Sequence, residues 1–95
     1  MDKIFLNVKD GQDIAFIGKE VAHQHEPEKD VAFRVYETEK GHWVVTITSN
    51  ENLLLKHEVI NNKSVEKLVK TLGYTDCAKS IYSKLGVDTT LNLNI

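Results

Sequence analysis

Three groups of side chains in this 95-residue sequence are of types that carry chemistry. His23-Gln24-His25 sets two imidazoles at i and i+2, which project to one side of an extended backbone, and Glu26 follows with a further oxygen. A metal needs three or four ligands, and nothing in the sequence brings His42 or His57 to the pair, so loop histidines are the simpler reading. Cys77 falls in the first turn of a predicted helix, where free amides favour a thiolate. It shares an apolar stripe with Ile81 and Leu85, however, and is read as a small buried hydrophobe. Lys63, Lys67 and Lys70 recur at i, i+4 and i+7, a basic stripe able to touch phosphates. The polar side of any amphipathic helix looks the same, and Glu66 stands beside it. No glycine-rich phosphate loop, serine elbow or paired-carboxylate motif is present; Asp10 and Asp13 flank a turn glycine and belong to turn geometry. The expectation is a protein that is not an enzyme and that holds no cofactor and no metal.

Composition sets the frame around these groups. Hydrophobic residues make up 41% and charged residues 27%, the balance of a folded chain, and the length fits one domain spanning residues 1–95. A single cysteine rules out an intramolecular disulfide. No apolar run reaches the length of a signal peptide or a bilayer span, which makes the cytoplasm the expected location and membrane an unexpected partner. The net charge of −2 argues against a protein that coats nucleic acid. Residues 1–52 are net −4 and residues 53–95 net +2, a split that a solvated sheet and a solvated helix face produce unaided.

The elements that must position the candidate groups follow from periodicity. From Val31 to Ile60, apolar residues at every second position predict a three-stranded meander: Phe33 and Val35, then Trp43, Val45 and Ile47, then Leu53, Leu55 and Val59. Glu39-Lys40-Gly41-His42 and Ser49-Asn50-Glu51-Asn52 are the turns between them. Ile4, Leu6 and Val8 alternate into Asp10-Gly11, a two-residue hairpin signal, and residues 14–22 return as a strand. A helix through Ile14, Ile17 and Val21 competes, but Gly18 at its middle would cost it about 1 kcal/mol relative to Ala. Gln24 to Asp30, with the only proline, reads as a charged loop. Beyond Asn62 the period changes to that of helices. Ser64 caps a helix with Val65, Leu68, Val69 and Leu72 on one stripe and Gly73 at its end. Thr75 caps a second, which Gly86 stops. Neither is long enough to stand alone, so the pair must lie on the sheet. Leu91, Leu93 and Ile95 alternate again and predict a final strand, pairing within the chain or with a neighbour. The expected fold is α+β: an antiparallel sheet of four to six strands, a C-terminal helical pair on one face and a last strand.

The order Phe16-x-Gly18, Tyr36-x-Thr38-x-x-Gly41-x-Trp43-Val44-Val45, Leu72-Gly73, Ala78, Tyr82 and Gly86-Val87 resembles short bacterial proteins of uncharacterised function. The resemblance implies a shared small fold in a bacterial or phage setting and carries over no catalytic or binding residue. The residues themselves point to the meander's other face. Arg34, Tyr36, Thr38, Thr46 and Lys56, with Val44, Thr48 and Glu58, would face away from the helices, as contacts for a protein partner or as an ordinary solvated surface. The expected role is therefore a bacterial interaction module that binds another protein through the open face or an edge and can self-associate into a homodimer. A nucleic-acid contact through the lysine stripe and a small metal or ligand bound at His23 and His25 are the alternatives.

Overall fold

Trp43–Ser49 forms the middle of the molecule because nearly all its side chains are β-branched or aromatic and suit burial on both faces. In the computed structural model, which describes all 95 residues, it is β4 of an antiparallel sheet whose strands lie in chain order. The others are β1 (Asp2–Leu6), β2 (Ile14–Glu26), β3 (Val31–Thr38) and β5 (Leu54–Ile60). A single 3₁₀ turn (Asn61–Lys63) then leads to α1 (Val65–Leu72) and α2 (Asp76–Leu85). This is the expected α+β architecture. Ser64 and Thr75 accept from the amides of Lys67 and Ala78, and Gly86 ends α2 in the left-handed region. Gly73 ends α1 at φ 74° and ψ −148°, a conformation open to glycine alone.

The helices cover one face of the sheet. Ala22, Val35, Trp43, Val45 and Ile60 from the strands close on Leu68, Ala78, Ile81 and Tyr82, forming one continuous core. Polar ties frame it: Ser80 Oγ donates to Gln24 Oε1 at 2.7 Å, Lys84 Nζ donates to the same oxygen and to the His23 carbonyl, and Tyr82 Oη donates to the Gly73 carbonyl at 2.5 Å. Tyr82 is almost fully buried, a core residue that the stripe through Cys77, Ile81 and Leu85 does not include.

Four expectations are corrected. Residues 91–95 form no strand and lie fully in solvent, because the chain leaves α2 at Gly86 and turns back along its exposed flank instead of reaching the sheet. The opening hairpin does not turn on two residues. Its loop runs from Asn7 to Asp13, since Val8 is used elsewhere, in a parallel bridge to Leu54. The supposed loop at Gln24 is strand as far as Glu26, which pairs with Val31, and only residues 27–30 turn. Finally, β5 has the opposite phase. Ile60, Glu58 and Lys56 pair with Trp43, Val45 and Ile47 on the helix side, while Val59 pairs with Val44 on the other.

A bulge explains that last correction. Between Lys56↔Ile47 and Leu54↔Thr48 the register shifts, so that Leu55 is an extra residue and the even-numbered side chains change face. The same happens in β2, where Glu20 pairs with Tyr36 but Ala22 with Val35, leaving Val21 as the extra residue. Both bulges add twist, and the sheet curls until its two ends meet at one point. There the Leu54 amide donates to the Asn7 carbonyl at 2.8 Å and the Lys9 amide to the Leu54 carbonyl at 3.1 Å. The result is a half-closed barrel with a concave face turned away from the helices.

Candidate functional site

The concave face begins with side chains that the curl forces together. A Cβ on Gly18 would lie 2.5 Å from the Glu37 carbonyl oxygen, so only glycine lets β2 pass this close to β3. The bend brings Phe16 edge-on to Tyr36, with ring centroids 5.5 Å apart. Burial, and then the Glu20 carboxylate, push the Tyr36 phenol above its ordinary pKa, against the pull of Arg34.

Next along this face is a polar cluster. Arg34 Nε meets Glu20 Oε1 at 3.1 Å, and its Nη1 donates to Thr48 Oγ1 at 2.7 Å. Thr48 Oγ1 donates onward to the Ala32 carbonyl, and Thr46 Oγ1 donates to the Arg34 carbonyl. Every buried side-chain polar atom has its partner. These hydroxyls and the guanidinium are therefore already committed to one another, and they fix the curvature of the sheet.

Of the expected contact residues, Arg34, Tyr36, Thr38 and Thr46 do share the face away from the helices, as their pairing with Val44, Thr48 and Gly18 shows. Two are corrected as contacts: Tyr36 and Thr46 are buried inside the curl and offer no surface. Lys56 is corrected as to face. It lies on the helix side, in a groove of about 490 Å³ with Phe33, Ile47, Leu72, Glu58 and Asp76. Thr38 turns inward locally, its Oγ1 accepting from the His42 amide at 3.0 Å.

What remains open on the concave side is mostly apolar, with Glu39 and Lys40 among the residues that line it. Past the Arg34 cluster, between the first half of β2 and β5, a cleft of about 500 Å³ is lined by Ile14, Phe16, Thr38, Val44, His57 and Val59. Val59 is 42% exposed there, so an aliphatic side chain faces water at the rim. No residue of β1 lines it. β1 has β2 on one side and no partner along Asp2–Leu6 on the other, while β5 is bonded on its outer side at Leu54 and by Lys67 Nζ to the Val59 carbonyl. His42 holds the rim in place, its Nδ1 accepting from the Asn62 amide at 2.9 Å. The periodicity missed Ile14, Phe16 and Val59 as site residues. The available signal was Gly18, a glycine inside a strand, which marks a close backbone approach.

The other candidate groups do not assemble into sites. His23 and His25 share a face as the i, i+2 spacing requires, but on strand and not loop; His25 Nε2 lies 3.2 Å from Asp30 Oδ1. No group of three or more His, Cys, Asp or Glu side chains is placed to hold a metal. Within the lysine stripe, Lys63 Nζ is 2.7 Å from Glu37 Oε1 and Lys67 Nζ is 3.6 Å from Glu58 Oε1, so only Lys70 lacks an ion-pair partner. Cys77 is partly buried, and burial, then Glu26, raise its thiol pKa, against a reactive thiolate.

Compared with models of known protein families, with curated proteins and with solved structures, the chain matches none. No helix is long and apolar enough to cross a membrane.

Proposed function

We propose that the protein is a non-enzymatic interaction module of a bacterial cell that binds an extended segment of another polypeptide in the cleft between β2 and β5. The observation that carries this reading is an open, largely apolar cleft of about 500 Å³ that no element of the chain fills, with the aliphatic Val59 side chain exposed at its rim. Such a hollow takes the apolar side chains of a peptide. The polar cluster behind it holds the curl in one shape, so a peptide meets a surface already formed.

A random-peptide display library panned on the immobilised full chain tests this. Sequences with apolar residues at alternate positions should enrich on the wild type and fail to enrich on Val59→Glu, a substitution at a half-exposed rim position that the fold tolerates. Equal enrichment on both, or on neither, overturns the reading.

A further inference from the structure

The turn that carries the chain from the sheet to the helices is held from the rim of the cleft. It runs through two consecutive residues in the left-handed region, Asn62 at φ 56° and Lys63 at φ 54°. A Cβ makes that region unfavourable, so such a pair persists only where its surroundings hold it. One hold is Lys63 Nζ on Glu37 Oε1. The other is the Asn62 amide, which donates to His42 Nδ1 at 2.9 Å. His42 is itself fixed at its backbone, its amide donating to Thr38 Oγ1 and its carbonyl accepting from the Thr38 amide at 2.8 Å.

An Nδ1 that accepts carries no proton, which places the proton of the neutral ring on Nε2. A second proton removes the accepting lone pair. Neither nitrogen of an imidazolium accepts a hydrogen bond, so turning the ring over does not restore the contact, and a charged N–H is left against the Asn62 N–H. His42 also lines the cleft with Phe16, Val44 and Val59. A peptide seated there takes water away from the ring, which a neutral imidazole tolerates and a charged one opposes.

We propose that His42 makes the cleft acid-sensitive: neutral, its ring latches the turn at Asn62 and forms part of the cleft wall, and protonated, it lets go of Asn62, sets a cation against the bound segment and releases it. This inference rests on the peptide-binding reading above and adds its regulation. Charged and titratable groups on the elements about the ring are Glu37 on β3, Glu39 and Lys40 on the β3–β4 turn, His57 on β5, Lys63 on the 3₁₀ turn and, behind Val59, Lys67 with Glu58. β2 and β4 contribute only apolar side chains to the cleft. Glu37 does not supply the change. The hydrogen bond from Lys63 holds its carboxyl below the usual range, so that pair stays charged while imidazoles titrate, between about pH 5 and 8. His57 is the other imidazole in the cleft, and it serves as the control.

Two measurements on the full chain decide the matter. In NMR spectra recorded from pH 8 down to pH 5, the Asn62 amide should lose hydrogen-exchange protection in step with protonation of the His42 ring; an Asn62 amide indifferent to that titration overturns the latch. A histidine-free library peptide enriched on the wild type should bind about five-fold more weakly at the acid end, the factor to which the net worth of one hydrogen bond converts. His42→Asn, whose Oδ1 accepts from the same amide and takes up no proton in this range, should bind equally at both ends, and His57→Gln should keep the wild-type fall. Binding by the wild type that stays level, a fall that persists in His42→Asn, or one that disappears in His57→Gln overturns the inference. Those outcomes leave the peptide-binding reading standing. A library from which no peptide enriches on the wild type over Val59→Glu removes that reading and acid release with it, while the Asn62 titration still decides the latch.

Discussion

On the helix-covered face the sheet presents Val35, Val45, Trp43 and Ile60 to Leu68, Ala78, Ile81 and Tyr82 in one apolar core. On the concave face the same strands present Arg34, Thr46 and Thr48, linked to one another and to Glu20, and an apolar cleft opens only beyond that cluster. The first face is covered by elements of its own chain, except at the groove beside Lys56, and the second is left uncovered. Stability is therefore concentrated where the helices lie. Shape is concentrated on the other side, where hydrogen bonds fix a curvature that apolar packing alone would leave free to slip. A small domain can keep a hydrophobic hollow open in this way without collapsing into it.

The sharpest way to break this contrast is to remove volume from the sealed face. Ile81→Ala should lower unfolding free energy by about 2–5 kcal/mol, read from urea denaturation, because a fully buried side chain leaves a cavity among rigid neighbours. At concentrations of denaturant where the variant is still folded, peptide capture by the cleft should be unchanged. A cost below 1 kcal/mol would show that the helices are not the seal they are taken for here.

Gly18→Ala tests the curl itself. Its methyl would lie 2.5 Å from the Glu37 carbonyl oxygen and 3.2 Å from the Phe16 ring, so β2 must move away from β3. A loss of about 1–3 kcal/mol is expected. Unlike Ile81→Ala, this variant should also weaken peptide capture, since Phe16 lines the cleft. Intact capture in a destabilised Gly18→Ala would mean that the bend does not shape the site.

The same contrast explains what was legible in the sequence. The helix caps Ser64, Thr75 and Gly86, the turn at Gly41 and the core residues Val35, Trp43, Val45, Leu68 and Ile81 follow from local rules that hold wherever the backbone is regular. The concave site depends on two bulges, and alternation carries no information across a bulge. Counting by twos through Leu55 assigns Val59 to the core and Lys56 to the open face, and both assignments invert when one residue is inserted. Tyr36 and Thr46 were on the expected face, yet their burial arises from curling, which brings distant strands together and leaves no trace in any one of them. The solvent-exposed tail was legible as a pattern and not as a place, because an alternating segment states what it would bury and not against which sheet.

Tyrosines on the two faces sharpen the comparison. Tyr82 Oη donates to the Gly73 carbonyl beneath the helices, whereas Tyr36 packs against Phe16 and makes no hydrogen bond. At neutral pH Tyr82→Phe should cost about 1 kcal/mol, the net value of one such bond. Tyr36→Phe should stay within about 0.5 kcal/mol, as substitutions that leave packing intact do. Both phenols have pKa values raised by burial, with Glu20 adding to the effect at Tyr36 and Tyr74 at Tyr82. The folded state therefore holds these protons more tightly than the unfolded chain. Their contribution is complete below the ordinary phenol value and disappears as pH rises through the raised one. Each Phe variant should lose part of the alkaline fall in melting temperature, and an unaltered fall in both would sink this account.

The smallest effect lies at the fringe of the sealed face. Lys63, in the 3₁₀ turn, reaches back to Glu37 at 2.7 Å, and that hydrogen bond, reinforced by the lysine's charge, holds the Glu37 carboxyl below its usual pKa. A carboxylate depressed in the folded state stabilises it above the unfolded pKa, and the contribution is lost as pH falls through the lower folded value. Thermal melts of the wild type should therefore lose stability from the ordinary glutamate range downward. Glu37→Gln and Lys63→Met should both flatten that acid limb slightly while leaving the alkaline limb alone, since both tyrosines keep their surroundings. The pair is half-exposed and salt-screened, so the change should shrink further in molar salt. An acid limb untouched by either variant would mean that this pair carries none of the acid dependence and would leave Asp88, whose carboxyl hydrogen bonds from Thr90 also hold below the usual range, as its source.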